Sequence, residues 1–202
     1  MRKWAPRVWH NWCEAMDRNP THSMKPFLFC IPLLLAALAI VSCATKKPVP
    51  STVSSLDTKR YAGEWHEIAR LPNTFERDLV AAKATYGLNP DGTISVQNEG
   101  LKMDGEKTSI KGTAKPANDS DPGKLLVRFD RFPANLFAGD YWILDVNSGY
   151  TRALVGSPDK KFLWLLSKNP GDGSQDFTQQ ISKAKELGYD TGELYFNPKR
   201  IN

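Results

Sequence analysis

Downstream of residue 56 the chain reads as short stretches in which apolar and polar positions alternate, each closed by turn chemistry. Extended segments are predicted at about 63–71, 80–88, 93–100, 106–114, 124–131, 139–146, 151–157 and 161–168. Asn89-Pro90-Asp91-Gly92, Asp104-Gly105, Pro116 through Gly123 and Pro158-Asp159 punctuate them. Every connection is short, so strands adjacent in sequence run antiparallel. Eight such strands with no helical crossover predict an all-β fold, an eight-stranded antiparallel up-and-down barrel, because closure leaves no strand edge exposed. From Ser174 to Leu187 the period changes. Phe177, Ile181, Ala184 and Leu187 fall on one helical face and Gly188 supplies the stop, so one C-terminal α-helix is expected to pack outside the barrel. Glu193 to Phe196 reads as a last short strand.

The N-terminal part follows other rules. Phe27 to Val41 is an uninterrupted run without charge, FLFCIPLLLAALAIV, preceded by Lys25 and followed by small residues. A basic start, a short apolar run and a small-residue end describe a secretory signal, and the run is short for a span of the roughly 30 Å hydrocarbon core. Its ending, Ile40-Val41-Ser42-Cys43, resembles the lipobox of bacterial lipoproteins, which implies cleavage before Cys43 and acylation of its thiol. Ala44 in place of an aspartate then implies the outer membrane, with the periplasmic face as the expected side. The start is either Met1 or Met24. Residues 44–55 (ATKKPVPSTVSS) have little to bury and read as a flexible tether. The expected organisation is an N-terminal extension and signal over 1–42, a lipidated cysteine and tether over 43–55, and one barrel domain over 56–202.

Charge and cysteine content narrow the chemistry. The net charge of +5 falls to +2 over residues 43–202, with 22 basic against 20 acidic groups. A body so nearly neutral argues against nucleic acid as a partner. Cys13, Cys30 and Cys43 all precede the barrel, which therefore holds neither a disulfide framework nor a cysteine metal site. His66 is the single histidine after Cys43, and it faces outward if Trp65 faces inward. No metal-ligand spacing and no phosphate-cradling glycine loop is present, so no metal, cofactor or catalytic residue is assigned and an enzyme is not expected.

Connectivity places three stretches at one end of the barrel: Gly63-Glu64-Trp65 at the start of the first strand, Asp145 to Tyr150 before the seventh, and Ser167 to Pro170 after the eighth. A Gly-x-Trp, an Asp…Tyr turn and a terminal cation, here Lys168, resemble the three motifs of the lipocalin family. Glu67-Ile68-Ala69-Arg70, Ala153-Leu154-Val155-Gly156 and the lipobox are most similar to the bacterial outer-membrane lipoprotein lipocalins. Gly63, Trp65, Asp145, Tyr150 and Lys168 are then structural. The family usually has arginine at the position of Lys168. Lysine keeps a cation–π contact with Trp65 but lacks the planar fork that reaches several carbonyls.

With Trp65 inward as the resemblance implies, period two turns Glu67 and Ala69 inward as well. Counting back from Lys168 gives Leu166, Trp164 and Phe162, and strand five presents Leu125, Val127 and Phe129. Ala82, Ala84, Tyr86, Val96, Asn98, Tyr141 and Ile143 complete the lining. The expected ligand contacts are Ala69, Ala84, Tyr86, Val96, Asn98, Val127, Phe129, Tyr141, Ile143, Trp164 and Leu166. Such a lining suits a fatty acid, a lysophospholipid or a similar hydrophobic molecule, in a barrel about wide enough for one. Side chains filling the interior outright are the alternative, against which the small residues Ala69, Ala82 and Ala84 count. Loops Leu71–Phe75 and Phe132–Phe137 place large apolar groups at the mouth. They open a second reading, a scaffold lipoprotein whose rim holds another envelope protein. A homodimer is left open.

Overall fold

The computed structural model describes residues 48–131 and 133–201. The apolar run and Cys43 lie outside them, as does Phe132 of the rim loop. The described chain forms a short helix α1 (Thr58–Tyr61) and then β1 (Gly63–Arg70), β2 (Leu79–Leu88), β3 (Ile94–Lys102) and β4 (Lys107–Pro116). There follow β5 (Lys124–Phe129), β6 (Gly139–Val146), β7 (Arg152–Gly156), β8 (Leu163–Ser167), helix α2 (Thr178–Glu186) and β9 (Tyr195–Phe196). Each strand from β2 to β8 pairs antiparallel with its neighbour in sequence. β1 pairs with both β8 and β2, which closes the eight-stranded barrel, and β9 lies outside against β1.

Alternation sorts the apolar residues into two layers. Inside the wall, Trp65, Tyr86, Val96, Leu125, Val127, Ile143, Val155 and Leu166 form one cluster. Outside it, Ile68, Leu144, Leu154 and Leu165 meet Phe177, Ala184 and Tyr189, with Ile181 and Leu187 beside them. The four residues expected on one face of α2 thus all cover the outer wall of the sheet.

A bulge in β1 breaks the alternation. Glu67 pairs with Leu166, but Ala69 pairs with Leu165 and Arg70 with Trp164, leaving Ile68 as the extra residue. The expected inward position of Ala69 is therefore wrong: Ala69 packs outside with Ile68, and Arg70 enters the barrel in its place. One inserted residue inverts every later side chain of a strand.

The same stretch of β1 leaves β2. The two strands pair only from Gly63 to His66, and beyond that point the C-terminal segment fills the seam. Asn197 N–H donates to Ile68 O at 3.0 Å and Lys199 N–H to Val80 O at 3.2 Å, so the tail bridges both strands.

The N-terminal segment also differs from expectation. The flexible tether expected over 43–55 is docked from Pro50 onward, where Pro50 is buried. Val53 N–H donates to Ile143 O at 3.0 Å, and Thr52 Oγ1 donates to Asp121 at 2.6 Å. A Cβ on Gly123 would fall 2.8 Å from Thr52, so the glycine makes room for this crossing. Val53, with Leu56 just beyond the segment, packs against the inner cluster and outweighs the polar composition around it.

Candidate functional site

The closed end is built around Trp65. Gly63 turns the chain from α1 into β1 at φ +104°, a left-handed conformation that a side chain would strain. Trp65 is fully buried, and its Nε1 donates to Tyr61 O at 2.7 Å. Lys168 Nζ lies 5.1 Å from the Trp65 ring centroid and donates to Arg60 O and Ala62 O, each at 2.8 Å. The ammonium thus does reach two carbonyls at the C-terminal end of α1, which the loss of the arginine fork had argued against. Its three rotatable donors suffice for two acceptors close together. Tyr150 accepts from Asp57 N–H at 2.9 Å, and the Arg60 guanidinium covers its ring at 4.4 Å. Asp145 faces outward and accepts from Gln180 Nε2 of α2 at 3.2 Å.

Above this floor the inner face of the wall is unevenly buried. Ile143 is fully buried, and Tyr86, Val96, Val127 and Leu166 are nearly so. Ala84, Asn98, Phe129, Tyr141 and Trp164 also face inward by register, yet all five are only half-buried. Packed interiors leave few voids larger than a water molecule. Inward side chains that keep accessible surface inside a closed wall therefore line a chamber rather than fill it. Ala82 is half-buried as well.

Two polar groups sit in this apolar chamber. Near the floor, Tyr141 Oη lies 2.8 Å from Tyr61 Oη and 2.9 Å from Tyr86 Oη. Burial holds the hydroxyls of Tyr61, Tyr86 and Tyr141 above their ordinary pKa. Asn98 stands across β2 and β3 from Ala84, which itself pairs with Trp65. Its Oδ1 is shielded from solvent and has no hydrogen-bond partner among the described residues.

Toward the open end, Arg70 donates to Glu67 at 2.8 Å, to Asn197 Oδ1 at 2.6 Å, and to the carbonyls of Glu76 and Leu79 at 2.6 and 2.9 Å. Glu76 accepts from Trp164 Nε1 at 3.1 Å. Burial, then the neighbouring Glu76 carboxylate, push Glu67 up to about 8 against the pull of Arg70. Period two had turned Glu67 inward. It did not show Arg70 or Asn197 as its partners, because one arrives by the bulge and the other from 130 residues away. The tyrosine cluster also escaped the sequence, since its hydroxyls converge from α1, β2 and β6.

The open rim is apolar at its tips. Phe75 is 81% exposed, Met103 78%, Phe137 74% and Leu136 57%, on three different loops. Leu71, expected at the mouth, is instead buried in the outer cluster. Beside the mouth, over the parted ends of β1 and β2, a groove of about 460 Å³ is lined by Asn73, Arg77, Leu79, Met103 and Tyr195.

Comparison with known proteins agrees with this architecture. Residues 56–199 match the model of the lipocalin-like domain. The chain is 39% identical over 160 residues to temperature-induced lipocalin-1 of Arabidopsis thaliana, covering 77% of this chain and 86% of the relative. It is 34% identical to the outer membrane lipoprotein Blc of Citrobacter freundii, covering 79% of this chain and 89% of that protein. Among solved structures, insecticyanin of the tobacco hornworm Manduca sexta aligns with a TM-score of 0.60 and 24% identity, over 75% of this chain and 85% of its own. By family model, sequence and fold together, the chain belongs to the lipocalins, a family of small-molecule binders rather than enzymes.

Proposed function

We propose that this protein is a lipid-anchored lipocalin that holds an acyl-chain lipid, a fatty acid, lysophospholipid or similar molecule, inside its barrel. The observation that carries the reading is the set of inward, half-buried side chains at Ala84, Phe129, Tyr141 and Trp164, which leave an apolar chamber within a closed wall. The inner faces of Ala84, Tyr86, Val96, Val127, Phe129, Ile143, Trp164 and Leu166 would meet the chain, with Asn98 and Tyr141 as polar contacts. Acylated Cys43 would hold the protein at the outer membrane, a reading supported by the lipobox and by the similarity to outer membrane lipoproteins. Two or more acyl chains make such anchoring stable, at about 0.8 kcal/mol per buried CH₂.

The test purifies the full chain from membranes, extracts it with organic solvent and analyses the extract by mass spectrometry. Near-stoichiometric recovery of one lipid class is the expected result. In parallel, Cys43→Ser should move the folded protein into the soluble fraction, and unchanged membrane partition of that variant refutes the anchor. The exposed apolar tips at Phe75, Met103, Leu136 and Phe137 favour a second reading, in which the rim holds another envelope protein. An empty barrel recovered with a tight protein partner would establish that reading instead.

A further inference from the structure

Three tyrosine hydroxyls share two contacts at the base of the chamber, Tyr61 with Tyr141 and Tyr141 with Tyr86. Each hydroxyl carries one donor, so one O–H is left unspent whichever way the other two point. Nearby on the inner face, Asn98 has an amide whose Oδ1 finds no partner among the described residues. Rotation about its terminal torsion presents either an acceptor or a donor to the chamber. An unspent donor and an unpartnered amide oxygen at the floor of an apolar space are matched by a group that both accepts and donates.

That group carries no charge. Arg70, the inward arginine, already has four acceptors, and the carboxylates of Glu67 and Glu76 stand beside it. Lys168 lies below Trp65 and is held by two carbonyls, and Lys102 at the rim end of β3 is tied to Glu106 at 2.7 Å. Among the described residues, a ligand carboxylate at the floor would thus meet no free cation. It would face instead the Glu76 carboxylate, whose field, after burial and against the hydrogen bond to Tyr141, helps keep Tyr86 protonated.

We infer that the barrel takes its lipid head first, and that the head is an uncharged hydroxyl or amide held between Asn98 and the Tyr61–Tyr141–Tyr86 cluster. The inference rests on the lipid-binding reading above and narrows it from amphipathic lipids in general to neutral-headed ones. It is tested on the full chain in phosphatidylcholine vesicles with three radiolabelled probes of one chain length: 1-dodecanol, dodecanoate and dodecyltrimethylammonium. Each is measured near neutral pH and corrected for uptake by protein-free vesicles.

Dodecanol should be retained roughly tenfold more tightly than either charged probe, and Asn98→Leu should remove most of that preference, about the effect of one buried hydrogen bond. Tyr141→Phe serves as a second variant, since it breaks both hydroxyl contacts with little change in volume, and it too should lower the preference. Equal or tighter retention of dodecanoate or of the ammonium overturns the inference while leaving lipid binding intact. A dodecanol preference that survives both substitutions overturns the placement of the head. Retention of none of the three removes the lipid-binding reading itself, and this inference with it.

Discussion

Glu67 shows what one enclosed carboxyl does to a whole fold. It faces into the barrel beside Arg70, yet burial and the nearby Glu76 carboxylate raise it from an ordinary 4.5 to about 8. Between those values the folded protein holds a proton that the unfolded chain has released. Stability from this group is therefore complete below about pH 4.5, falls as pH rises toward 8, and is flat beyond. Urea midpoints at about pH 5, 7 and 8.5 should decline in that order. Glu67→Gln keeps an acceptor for Arg70 and Asn197 but cannot ionise, so its midpoints should lose most of that decline. An unchanged decline in the variant would place the titration elsewhere.

Among the elements, β1 departs most from its sequence pattern, and Asn197 is where the departure is made good. Its Nδ2 donates to Glu67 O at 3.1 Å and Glu67 Oε1 at 2.9 Å, while its Oδ1 accepts from Arg70 at 2.6 Å. Asn197→Ala would strand buried polar atoms on both neighbours at about 1–3 kcal/mol each, so equilibrium denaturation should show a loss of at least that size. A wild-type denaturation curve would mean that the seam is closed without it. Most of the barrel was legible beforehand, because turn chemistry and period-two alternation survive wherever one face meets the core. Strand limits agree with expectation to within two or three residues. The bulge was not legible: Ile68 and Ala69 are both apolar, so nothing in the pattern marks the slip between them. Helix α1 was missed because four residues are too few to show a period, although Asp57 accepts from Lys59 N–H and Arg60 N–H as a cap. Asn98 was legible as inward, but its lack of a partner emerges only when the wall closes around it.

At the scale of the molecule, chamber and rim compete to explain ligand binding, and bulk separates them. Ala84 pairs with Trp65 on one side and Asn98 on the other, so Ala84→Trp would fill the space above the floor. Overpacking of this kind costs about 1–3 kcal/mol, which a barrel of this size should survive. Titration with a pyrene-labelled fatty alcohol should show binding abolished in Ala84→Trp. A rim variant carrying Leu136→Ser and Phe137→Ser should weaken it no more than severalfold. The opposite ranking would put the site on the exposed apolar tips and support the scaffold.

The tail that bridges Ile68 and Val80 has a consequence in time rather than in space. Residues 197–199 follow all eight barrel strands in the chain, yet they complete the wall between β1 and β2. During synthesis, the upper half of β1 is made before the other seven barrel strands, and it waits for a segment that follows all of them. Until that segment arrives, Ile68 O and Val80 O lack the donors that join the two strands there. Closure of the barrel is therefore the latest step in the order of the chain. A chain cut before Asn197 would hold every strand of the wall yet not the bridge that joins the first to the second.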